Sequence, residues 1–233
     1  MDEVFHKLER SIIVEISFGN FKFDLSNTLL CVWIVIALLI AACLLLARKL
    51  NRRPGKAQVI LEMLVAFIKG MCRDFIGDVY YKKYVNYIGT LFLFLCMANL
   101  LSVLNFIPGL NLYAPTKDIN VTMPLALMTI SIVIYSSFRF RGAGGTAKSL
   151  FSPIPMMLPF NLMEYITKPL SLCLRLFGNI VAAFVIMELI FHTMGIAAAP
   201  FSAYFDFFDG ILQAYIFVFL TCLYIGQAVE MEE

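Results

Sequence analysis

Arg175 stands between Leu174 and Leu176 in an apolar run, and neither neighbour four residues away, Ser171 or Asn179, is a carboxylate. A guanidinium stays protonated under any condition a membrane offers, so this residue acts as a fixed positive charge and not as an acid or base. Glu164, Lys168, Ser171, Arg175 and Asn179 follow one another at steps of three and four. On a helix that spacing lays them along one polar stripe. Glu188 comes thirteen residues after Arg175, about 140° further round, and pairs at i,i+4 with His192. A third set, Asp206, Asp209 and Gln213, is spaced by three and four and is followed by Tyr224 and Gln227. Carboxylates and imidazole exchange protons or hold cations, and a permanent cation near them biases which form they take. Each ionisable group near a bilayer centre costs at least ~2.5–3.5 kcal/mol, so such groups face protein, water or a partner and mark ion paths. No nucleophile and base fall together, and no cluster has metal-ligand spacing. The chemistry on offer is ion transfer, and the sequence implies neither cofactor nor metal.

The elements that must carry these residues are long and apolar. The 233 residues are 61% hydrophobic and only 15% charged, with a mean hydropathy of +0.85. Soluble domains sit nearer 45–50% apolar and about 25% charged, so the composition excludes an ordinary cytosolic fold and a disordered chain. A net charge of +2 leaves no basic footprint for nucleic acid. Six scattered cysteines lack zinc or disulfide spacing and read as small apolar packers.

A bilayer core of about 30 Å takes about 20 apolar residues in a helix. Residues 28–47 form an uncharged span ending on Arg48 and Lys49, and residues 84–107 and 119–138 are two more uncharged stretches. Segment 57–83 is too charged to span, yet Ile60, Leu64, Phe67, Met71 and Phe75 recur at helical spacing, which predicts an amphipathic helix at the interface. Residues 160–195 contain no convincing turn. A helix that long is either broken near Pro169 or strongly tilted, and the weak turn chemistry around Pro169 favours the single tilted helix. Residues 201–229 supply the last span. The expectation is an all-α membrane protein, a single polytopic domain of about five membrane-embedded helices and one interfacial helix. The run Gly142-Ala143-Gly144-Gly145-Thr146-Ala147-Lys148-Ser149 approaches a phosphate-binding loop, but Ala147 replaces its second glycine and a membrane span precedes it, so it reads as a turn.

Nine Lys and Arg lie in 48–84 and three in 139–150, against one, Lys117, in 108–118. Basic connections stay in the cytoplasm, which puts the N-terminal segment 1–26 outside and the C-terminus inside. No short apolar core with a cleavage site opens the chain, so a cleaved signal peptide is not expected.

At these residues the chain resembles subunit a of the membrane sector of F-type ATP synthases. The likeness is carried by Lys168-Pro169-Leu170-Ser171-Leu172-Cys173-Leu174-Arg175-Leu176-Phe177-Gly178-Asn179, with Pro115-Thr116-Lys117-Asp118-Ile119-Asn120-Val121-Thr122, Asn161-Leu162-Met163-Glu164 and Leu212-Gln213-Ala214-Tyr215-Ile216-Phe217 in order around it. The resemblance implies a non-catalytic stator subunit in the plasma membrane, bound by lipid, the peripheral-stalk subunit b and a rotating ring of subunit c whose helices carry a carboxylate. It implies two offset half-channels for protons or sodium ions, a tilted hairpin over 155–229, and Arg175 as the family's essential arginine between the half-channels. Asn179 and Gln213 match polar positions beside that arginine, and Glu164 belongs to a polar pathway or to helix packing. Where some members carry a carboxylate nine residues after the arginine, this chain has Phe184. Glu188, His192 and Asp206 are therefore expected to line the outer half-channel. The competing reading is a secondary ion-coupled transporter with midplane charges, which usually shows two related halves; the sequence has no such internal repeat.

Overall fold

The structure is a computed structural model, and it describes residues 12–18, 21–48, 55–101, 114–151, 156, 158–195 and 199–229. Two strands, β1 (Ile12–Phe18) and β2 (Phe21–Ser26), pair antiparallel with Phe18 opposite Phe21 and Glu15 opposite Asp24. The all-α expectation did not include this hairpin. Its sequence signal is the pair Gly19-Asn20 between runs rich in Ile, Val and Phe.

Among the described residues six helices follow: α1 (Asn27–Arg48), α2 (Lys56–Ile76), α3 (Tyr81–Leu100), α4 (Ile119–Phe151), α5 (Leu158–Met194) and α6 (Ala199–Val229). Four carry stretches long and apolar enough to cross a membrane: Asn27–Leu45, Ile119–Gly142, Leu158–Met194 and Phe207–Val229. The remaining expected span, 84–107, is described only as far as residue 101. Its described part falls on α3, which opens Tyr81-Lys82-Lys83 and carries Asn86 and Asn99, and is not among those four.

The interfacial helix expected over 57–83 stops at Ile76. Gly77 takes φ 87° and its N–H closes on the carbonyl of Arg73, a left-handed cap that suits glycine. The helix after it therefore starts at Tyr81 and takes Lys82 and Lys83 with it. Gly142, at φ 72° and ψ 169°, interrupts α4. The chain folds back there, with Thr146 donating to the Gly142 carbonyl and the Ser137 and Thr146 hydroxyls 3.2 Å apart. The glycine-rich run is thus a helix break followed by more helix, without the strand that a phosphate-binding loop needs. α5 is continuous for 37 residues, with Pro169 inside it. At 1.5 Å per residue it is about 55 Å long. The proline leaves the carbonyl of Tyr165 without its helical donor, a loss a helix of this length absorbs.

The chain divides into two compact units. One comprises Met1–Lys49, Leu93–Asp118 and Phe177–Ala214; the other Leu50–Phe92, Ile119–Leu176 and Tyr215–Glu233. In the first, Cys31 and Val35 of α1 bury against Ala98 and Leu101, with Phe94 and Met97 around them. In the second, α2 docks on the C-terminal half of α6: Phe75 meets Phe219 edge to face at 4.8 Å, and Phe67 lies 5.9 Å from Tyr215. A Cβ on Gly226 would strike the carbonyl oxygen of Phe75, so only glycine permits this approach. α3 and α4 are joined by paired hydroxyls, Tyr84 to Ser136 at 2.6 Å and Tyr87 to Thr129 at 3.2 Å. Their ends meet where Lys83 lies over the Phe140 ring. Cys31, Cys72, Cys173 and Cys222 are buried as apolar packers, whereas Cys43 is exposed.

Candidate functional site

In the second unit the N-terminal half of α5 presents the polar stripe. Lys168 Nζ pairs with Glu164 Oε2 at 2.8 Å, as their i,i+4 spacing requires. The same ammonium donates to Gln227 Oε1 at 3.3 Å and lies 5.4 Å from the Tyr224 ring centroid. The last turn of a helix leaves its carbonyls without partners, and Arg141 Nη2 serves one of them, donating to the Gln227 carbonyl at 2.6 Å. Glu164 is therefore part of an interhelical cluster that fastens α5 to the end of α6 and leaves its carboxylate 56% exposed.

Arg175 stands on α5 with its side chain exposed, as are Ser171 and Asn179 one turn to either side of it, while Cys173, about 160° round the helix, is buried. It makes no ion pair or hydrogen bond among the described residues. A charged face on an otherwise apolar membrane helix is left for another molecule to meet. The chain matches the family described as ATP synthase A chain over residues 29–226. It belongs to that family. It is also 36% identical over 236 residues to the ATP synthase subunit a, sodium ion specific, of Propionigenium modestum, a match covering 94% of this chain and 81% of that protein. Family membership makes the chain a non-catalytic, multi-pass subunit of the synthase's ion-translocating membrane sector, and takes the place of the transporter reading.

The first unit gathers a different polar group. Asn99, Ala114, Lys117, Ile180, Ala183, Phe184, Asp209 and Gly210 line a partly open cavity of about 20 Å³, enough for roughly one water. Lys117 Nζ sits 4.0 Å from the centroid of the Phe184 ring, a cation over a π face. Gln213, 4% exposed, donates from Nε2 to Asp209 Oδ1 at 3.2 Å. Asn99, 2% exposed, donates to the carbonyl of Gly210 at 3.0 Å and accepts from the Thr116 hydroxyl at 2.6 Å.

Of the residues singled out in the sequence, Gln213 thus lies one helical turn from the cavity wall, bonded to it through Asp209. Asn179 and His192 are exposed on α5. Glu188 and Asp206 lie on the α5 and α6 backbones, but their side chains are outside the described residues. Sequence reasoning gave no role to Asn99, Thr116 or Lys117. Their meeting with Phe184, Asp209 and Gly210 is a tertiary fact. The only trace in the chain is an amide in an apolar run and a glycine next to an aspartate.

Proposed function

We propose that this chain is the stator half of a rotary ion translocator: two offset half-channels carry protons or sodium ions to and from a ring of subunit c, and ion flow drives ATP synthesis elsewhere in the complex. α5 and α6 form a tilted hairpin against that ring, in one membrane domain. Glu188, His192 and Asp206, with Asp209 and Gln213 close to the last of these, line the outer half-channel. Glu164, with Lys168 and Gln227, belongs to the cytoplasmic one. Asn179 orients Arg175 or wets its surroundings.

The observation that supports this reading best is the exposed Arg175 between exposed Ser171 and Asn179. A cation that keeps its charge attracts a deprotonated ring carboxylate and prevents an ion from crossing directly between half-channels without rotation. The basic connections favour an orientation in the plasma membrane with the N-terminus outside and the C-terminus in the cytoplasm, and the family reading leaves the remaining helices to subunit b and lipid. The relative's sodium specificity favours sodium as one of the two candidate ions.

If α5 faces the ring through the Arg175 side, a cysteine replacing Ser171, exposed one turn before Arg175, forms a disulfide under mild oxidation with cysteines placed along the ring's outer helix. A cross-link there supports the ring-facing assignment. Its absence, with a cross-link instead from the buried native Cys173 on the far side of the helix, overturns it.

A further inference from the structure

We propose that Asn99 is a positioning residue for ion translocation: it fixes the turn of α6 at Gly210 and thereby holds Asp209 at the cavity wall. The proposal rests on the reading that Asp209 and Gln213 flank the ion's route. Asn99 interrupts an apolar stretch of α3, between Ala98 and Leu100, and is buried. A buried amide is costly unless both of its ends are bonded. The partners decide which end is which. The Gly210 carbonyl can only accept, so Nδ2 faces it, and Oδ1 is left to take the proton of Thr116, itself fully buried. A carbonyl has two lone pairs, so the bond from Asn99 does not compete with the helical ladder of α6.

The approach is close. A Cβ on Gly210 would lie 3.1 Å from Asn99 Cβ and 3.6 Å from its carbonyl carbon, so a side chain at 210 requires Asn99 to give way by a few tenths of an ångström. The same turn of α6 carries Asp209 on the cavity and, one turn later, Gln213 donating to Asp209. Thr116 belongs to the short 3₁₀ turn Pro115–Lys117, and Lys117 in that turn lies over Phe184 of α5. One side chain therefore joins α3, the turn and α6.

The test uses the complete ATP synthase in sealed vesicles, with ATP-driven ion transport measured per assembled complex. Thr116→Val keeps the shape and removes the proton given to Asn99, and Asn99→Leu removes both bonds. Thr116→Val lowers transport by about tenfold, the effect of one buried hydrogen bond lost, Asn99→Leu lowers it further, and Thr116→Ser keeps the wild-type rate. A second measurement reads position directly. With the native cysteines replaced and Asp209→Cys introduced, the rate of reaction with a small water-soluble thiol reagent changes by about tenfold in Thr116→Val and not in Thr116→Ser. A role in folding alone lowers the amount of complex and leaves the rate per complex unchanged, and that result overturns the proposal. Arg175→Ala is the control for the underlying reading. It abolishes transport without altering the reaction at position 209; persistent transport in it rejects the ion route itself, independently of Asn99.

Discussion

At position 184, where the resemblance led to a carboxylate in some relatives, this chain has a phenylalanine with a lysine ammonium over its ring. Lys117 is held 4.0 Å from the Phe184 centroid, so the ring acts as a wall that seats a cation. The side chain that handles the proton or sodium ion must then lie elsewhere, and Asp206 is the proposed one. Phe184→Ala is expected to keep ion-driven ATP synthesis within about two- to fivefold of wild type, the scale of a lost cation–π contact. Asp206→Ala is expected to lose about a hundredfold, as when a proton-transfer group is removed. Wild-type synthesis in both variants sinks this division of roles. Arg175 could be read from the sequence because a lone permanent charge among leucines has few explanations. Asn99 could not, since an amide in an apolar helix says only that it will be bonded and leaves its partner, 111 residues away, unnamed.

At the scale of elements, periodicity found the helices and glycine geometry decided their ends. The apolar repeat from Ile60 to Phe75 made α2 legible, but its stop needed the positive φ of Gly77. α5 was correctly expected as one long helix because Thr167, Lys168 and Leu170 give Pro169 no turn to join. The docking of α2 on α6 was not legible: Gly226 carries no signal until the Phe75 carbonyl is seen against it. Gly226→Ala is therefore expected to destabilise the second unit by at least ~1–3 kcal/mol through overpacking. Gly70→Ala on α2, where a Cβ meets nothing within 4 Å, should be neutral or stabilising by up to ~1 kcal/mol as a better helix former. Thermal unfolding of the purified complex separates the two. Equal midpoints for both variants contradict the close approach of α2 and α6.

At the scale of the molecule, low charge identified a membrane protein, and the placement of its few charges pointed to an ion path. Of 18 basic residues, only Lys168 and Arg175 lie well inside the membrane helices, and they behave differently. Lys168 is bound to Glu164 and Gln227. Arg175 is exposed and has no ion pair or hydrogen bond among the described residues. The first is a fastener between helices, and the second is the charge on which coupling is proposed to depend. In vesicles holding the complete synthase, ion-driven ATP synthesis should fall to background in Arg175→Ala while the amount of assembled complex stays at the wild-type level; synthesis at the wild-type rate in that variant would contradict the mechanism.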